Sequence, residues 1–177
     1  SWSIEDGGLG LDYFHEMVLS EELAYWRAPV QPVLTNTVHN SGAAIRRHGT
    51  KEQKSYFLPR ILTADLRGCL GLTEPDAGSD VASVKTRATL EGNCFRIEGQ
   101  KVFTSGAHLA DYIFLVVRTD PDAPKHKGIS IILVDLDTPG VRIQPLWTMA
   151  GFRLNEVFLS DVKVPKDRLL GEINRGW

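Results

Sequence analysis

The feature that most constrains the fold is a single change of hydrophobic period near Leu66. Before it, apolar residues recur at helical spacing. Leu19, Leu23 and Trp26 fall at i, i+4 and i+7, and Leu11, Phe14 and Val18 extend the same surface. After it the pattern alternates. Thr86, Ala88 and Leu90 interleave with Arg87 and Thr89, and after a Gly92-Asn93 turn Phe95 and Ile97 interleave with Arg96 and Glu98. A period near 3.6 buries one stripe of a helix, whereas a period of 2 buries one face of a strand. The order therefore predicts an α+β chain: an N-terminal helical segment followed by an antiparallel β-sandwich or barrel.

Local signals place the elements. A helix is expected from about Asp12 to Arg27, and a second from Val33 to His48, set apart by Pro29 and Pro32. The second closes with the cations Arg46, Arg47 and His48 before Gly49. Thr50 and Gln53 form a capping-box pair that opens a third helix bearing Tyr56, Phe57, Ile61 and Leu62, which Pro59 is expected to kink or end. Further strands are expected at Tyr112–Val117, Ile129–Val134, Val141–Ile143 and Val157–Leu159, with an exposed loop at Asp120–Lys127. This divides the chain into a helical domain (1–65), a β domain (66–165) and a lead (166–177) into a further helical domain. With no initiator methionine and a last residue just after an element boundary, the 177 residues read as an interior piece of a longer protein.

Composition bounds the function classes. Charged residues make up 24% and hydrophobic ones 42%, as in ordinary soluble domains. A net charge of −2 gives no electrostatic footprint for nucleic acid or an anionic membrane. Two cysteines, Cys69 and Cys94, make neither a disulfide framework nor a metal site, and favour a reducing compartment. The expectation is the cytoplasm, with the mitochondrial matrix as alternative. His15, His39, His48, His108 and His126 fall on different expected elements and read as ordinary histidines, not ligands.

One stretch concentrates chemistry. Leu70-Gly71-Leu72-Thr73-Glu74 runs as a strand, breaks at Pro75 and gives way to Asp76-Ala77-Gly78-Ser79-Asp80, small residues that let backbone amides and hydroxyls approach a ligand. Glu74 flanks the turn and is a candidate base, but no substrate proton is placed in its reach, so a structural role is expected. A second stretch, Gln100-Lys101-Val102-Phe103-Thr104-Ser105-Gly106, also closes an apolar strand.

Thr-Glu-Pro-x-Ala-Gly-Ser-Asp resembles the flavin-contacting segment of the acyl-CoA dehydrogenases, and the second stretch resembles another. The likeness extends over most of the chain. Glu5-Asp6-Gly7-Gly8-Leu9-Gly10, Glu21-Glu22-Leu23-Ala24 and His48 to Lys54 are similar to that family's helical domain. Lys127-Gly128-Ile129-Ser130, Asn155-Glu156-Val157-Phe158 and Leu169-Leu170-Gly171-Glu172 are similar to its middle β domain and exit. The resemblance implies that Leu70, Leu72, Thr73, Gly78 and Ser79 line an FAD and the substrate entrance, with Ser79 also meeting the acyl-CoA. It implies that Val102, Phe103 and Thr104 flank the flavin ring, Thr104 donating towards N5 or O4 and Phe103 covering the ring. Two departures stand out: the family often has tryptophan where this chain has Val102-Phe103, and an aromatic where it has Leu70.

The implied activity is α,β-dehydrogenation of an acyl-CoA to a trans-2-enoyl-CoA, with electrons passing from FAD to an electron-transfer flavoprotein. The base is expected in a C-terminal helical domain, and the whole protein is expected to be a dimer or tetramer, homo- or hetero-oligomeric. Three alternatives stay open: an oxidase-like relative, a non-catalytic partner subunit of the same fold, and a plain β interaction module that binds no flavin.

Overall fold

The computed structural model describes residues 2–29 and 32–177. Helix α1 (Tyr13–Tyr25) starts where expected because the Asp12 carboxylate accepts from the amides of Phe14 and His15. None of the helix is buried within this chain. The second expected helix appears as α2 (Pro32–Asn36), a π-helical stretch (Thr37–Gly42) and α3 (Ala43–His48). Helix α4 (Lys51–Leu62) opens with the complete Thr50–Gln53 capping box. It also runs through Pro59 to Leu62. Pro59 and Ser55, whose carbonyl loses its i+4 donor, both lie on the exposed side, so the lost bond falls at the solvent surface and not in the core.

Eight strands follow: β1 (Gly68–Gly71), β2 (Arg87–Glu91), β3 (Cys94–Lys101), β4 (Tyr112–Arg118), β5 (Ile129–Asp135), β6 (Val141–Trp147), β7 (Arg153–Pro165) and β8 (Leu169–Leu170). They form one sheet in the order β6-β7-β3-β2-β4-β5-β8, with β1 beside β4. Most pairings are antiparallel, as the alternating pattern implied. The departures are β1, which runs parallel to β4, and a single parallel pair between Arg87 and Arg118. Forty residues separate β1 from β4, so no local pattern encodes their pairing. Strand β7 is longer than the expected Val157–Leu159 because it spans both β6 and β3, through an irregularity where Asp161 takes a positive φ. Residues 169–175 are held on the sheet by β8 and by a bridge from Ile129 to Arg175.

Strand β4 is buried on both faces, which is why it reads as an unbroken apolar run. Tyr112, Phe114 and Val116 pack with Ile45, Phe57 and Ile61 of the helices. Ile113, Leu115 and Val117 pack inside the curled sheet with Phe95, Ile97, Val157 and Val162. Polar contacts fix the helices to β1. Thr37 Oγ1 accepts from the Gly68 amide at 2.7 Å, and the Ser41 and Tyr112 hydroxyls share a bond of 2.8 Å. This approach requires glycine, since a Cβ on Gly68 would stand 2.5 Å from the Tyr112 ring. At the other end Gln53 donates to the carbonyls of Asp167 and Leu169, tying α4 to the exit segment.

Candidate functional site

The two chemistry-bearing stretches lie next to each other although they are far apart in sequence. Strand β1 delivers Leu72 and Thr73 to the point where β3 ends, and the Val102 amide donates to the Thr73 carbonyl at 2.9 Å. Beyond it the chain turns back on itself through paired bonds between Glu74 and Ala77. Gly78 and Ser79 then project at the surface, with open space around Gly78. Leu70 and Leu72 are half-buried against the core that the helices share with the sheet. Val102 is buried, while Phe103, held at a φ of 55°, exposes 55% of its surface.

Thr104 is the best-fixed member. Its amide donates to the Asn155 carbonyl at 2.9 Å, and the Asn155 side-chain amide returns a bond to the Thr104 carbonyl at 2.9 Å. Asn155 is in turn bonded by Arg153 and faces His108 Nδ1. Partial burial and the Arg153 guanidinium hold the His108 pKa below its ordinary value. Among the described residues, Thr104 Oγ1 is the one buried side-chain oxygen or nitrogen without a hydrogen-bond partner. Such a group costs about 1–3 kcal/mol and calls for an explanation.

Glu74 is held by hydrogen-bond donors on both of its carboxylate oxygens. Its Oε1 accepts from Lys101 Nζ at 2.7 Å and from the Thr86 amide at 2.9 Å, and its Oε2 from the Lys85 amide at 2.6 Å. Burial works to raise the Glu74 pKa, but Lys101 and these donors outweigh it and hold it below the usual value. A carboxylate committed in this way is a poor base at neutral pH. Lys101 is fully buried, and burial draws its pKa down to about 8 against the pull of Glu74.

Beside Ser105 and Gly106 opens a groove of about 530 Å³ walled by Val33, Leu109, Phe152 and Leu154, with Arg153 and His108 at its polar edge. Gly106 takes a φ of 72°, and a Cβ there would stand 2.9 Å from Val33, so the turn after Thr104 is shaped for glycine. The histidines stay apart, and no cluster of three metal-ligating side chains exists among the described residues. Among the same residues no helix is long and apolar enough to cross a membrane.

The sequence reading gave Asn155 and Lys101 no role. A signal for Lys101 existed: it stands at the same parity as the inward-facing Phe95 and Ile97, and a lysine on an inward position needs a buried partner.

Comparison with known proteins shows what this arrangement belongs to. Residues 69–162 match the family model for the acyl-CoA dehydrogenase middle domain, and residues 1–65 that for the N-terminal domain. The chain belongs to the acyl-CoA dehydrogenase family. That family is one of flavoproteins. Among curated relatives, Acyl-CoA dehydrogenase FadE29 of Mycobacterium tuberculosis (strain ATCC 25618 / H37Rv) is 43% identical over 177 residues, covering 99% of this chain and 45% of that protein. Among solved structures, the Tcur3481-Tcur3483 steroid ACAD superposes with a TM-score of 0.95 at 46% identity, over 99% of this chain and 45% of that one. The ChsE4-ChsE5 complex from Mycobacterium tuberculosis gives 0.93 at 39% identity, over 99% and 45%. This acyl-CoA dehydrogenase chain thus spans about half the length of the relatives it matches.

Proposed function

We propose that the chain forms the flavin-facing half of an acyl-CoA dehydrogenase that introduces a trans-α,β double bond into an acyl-CoA thioester. The observation that carries this reading is Thr104 Oγ1, a buried hydroxyl without a partner on a segment otherwise saturated with hydrogen bonds. A donor fixed by its backbone and lacking an acceptor at its side chain would be satisfied by a ligand acceptor. Bound FAD would supply the two-electron acceptor for the hydrogen leaving the β-carbon. In this reading Thr104 donates to the N5–O4 edge, and Thr73 with the Leu72 backbone meets the pyrimidine edge. Leu70, Val102 and Phe103 form the apolar surroundings. The exposed Gly78–Ser79 turn is the substrate entrance, where Ser79 meets the acyl-CoA. Glu74 is committed to Lys101, so the base for the α-proton is assigned to residues outside this chain.

Electrons then pass to an electron-transfer flavoprotein, and the whole protein is oligomeric. The relative solved as the ChsE4-ChsE5 complex supports a hetero-oligomer, in which this chain could serve a catalytic or a partner subunit. The steroid ACAD relative supports a bulky polycyclic acyl group. The test is an anaerobic titration of the full-length protein, alone and with its partner subunit. A flavin absorption band bleached by acyl-CoA is expected. A purified protein with no flavin band, alone or in complex, would overturn the reading.

A further inference from the structure

The Lys101–Glu74 pair lies behind the site, where neither partner touches a ligand in the reading above. Lys101 Nζ sits 2.7 Å from Glu74 Oε1 and 3.3 Å from the Leu72 carbonyl oxygen, and the lysine is wholly inaccessible. The next residue, Val102, gives its amide to the next carbonyl, that of Thr73. Two consecutive residues at the end of β3, Lys101 and Val102, thus hold two consecutive carbonyls at the exit of β1.

A buried ion pair is weak evidence for stability, because desolvation offsets most of the attraction, and neutral residues of similar shape often serve as well. The geometry gives the charge another use. A trans peptide is planar, with its C=O and N–H pointing in opposite directions. Holding the Leu72 carbonyl towards Lys101 therefore turns the Thr73 amide N–H the other way. Removing the cation leaves the Leu72 carbonyl free to rotate and takes the Thr73 N–H with it. Glu74 keeps the ammonium in place, and the Lys85 and Thr86 amides in turn hold Glu74.

We propose that Lys101, with Glu74 as counter-ion, is a positioning residue that fixes the Leu72–Thr73 peptide plane and so aims the Thr73 amide N–H at the flavin. This rests on the flavin reading of the same site and adds a residue that touches neither cofactor nor substrate.

The test uses the full-length holoprotein with three variants: Lys101→Met, Glu74→Gln and the double Glu74→Gln/Lys101→Met. Urea midpoints are measured beside the rate of flavin reduction by acyl-CoA and the flavin absorption spectrum. Lys101→Met leaves Glu74 charged and unpaired, so it is expected to lose both stability and reduction rate. The double variant is expected to regain most of the stability, yet to reduce its flavin at least about tenfold more slowly than wild type. Its spectrum should stay shifted, and its KM should lie within about twofold of wild type. Glu74→Gln alone removes the charge that keeps the ammonium in place but leaves Lys101 within reach of the Leu72 carbonyl, and is expected to slow reduction by less than the double variant does.

A double variant that recovers reduction along with stability would show a structural pair only and overturn the proposal. So would a double variant that recovers no stability, or a Glu74→Gln variant as slow as the double. A wild-type protein that carries no flavin would instead end the flavin reading itself.

Discussion

Helix α1 and strand β4 are both rich in large apolar side chains, and they meet opposite fates. Tyr13, Phe14, Met17, Val18 and Leu19 of α1 are exposed, whereas Tyr112 through Val117 of β4 are buried. The sequence pattern states which surface can leave water, and the rest of the chain decides whether anything covers it. For β4 the cover exists twice over, helices on one face and the curled sheet on the other. Stability of this chain therefore resides in the sheet and in the helices α3 and α4 that pack on it, and α1 contributes little of it.

The largest expected effect tests that contrast with one chemical change made twice. Leu115→Ala removes a fully buried side chain from the sheet interior and should cost about 2–5 kcal/mol in urea unfolding. Leu19→Ala removes one that is 58% exposed on α1, and should change stability by no more than about 0.5 kcal/mol. Equal losses would mean that α1 is covered in solution and would break the comparison.

A smaller effect separates the buried pair from the hydrophobic core by its pH dependence. The folded Glu74 pKa lies below the ordinary carboxylate value, so its contribution is fully present above that value and is lost as pH falls through the folded pKa. Lys101 is protonated in both folded and unfolded states over this acid range and adds no slope there. The acid limb of the stability curve should therefore flatten in Glu74→Gln and stay steep in Leu115→Ala. An unchanged acid limb in Glu74→Gln would show that other carboxylates set it.

The same contrast explains what the sequence revealed. The period change at Leu66, the Thr50–Gln53 capping box and the Gly92-Asn93 turn were legible because each is decided by neighbours within a few positions. The candidate flavin-site residues were chosen through resemblance, and Thr73 and Val102, from the two stretches, meet in space. The parallel pairing of β1 with β4 was not legible, nor was the 27-residue span from Glu74 to Lys101 or the 51-residue span from Thr104 to Asn155. These contacts join segments whose local patterns carry no information about each other. The apolar stripe of α1 was legible but what covers it was not, because a stripe does not name its partner. Pro59, expected to kink or end α4, does not end it, since on the exposed side of the helix its missing donor costs little.

The most direct measurement of the central claim is flavin reduction by acyl-CoA in Thr104→Val of the full-length protein. The substitution keeps the shape and removes the buried hydroxyl that, among the described residues, has no hydrogen-bond partner. If that hydroxyl serves the flavin, reduction should slow by a lost hydrogen bond, about 0.5–1.5 kcal/mol or roughly two- to twelvefold, with a shifted flavin spectrum and unimpaired folding. A variant with wild-type reduction rate and spectrum would contradict the placement of the flavin against Thr104.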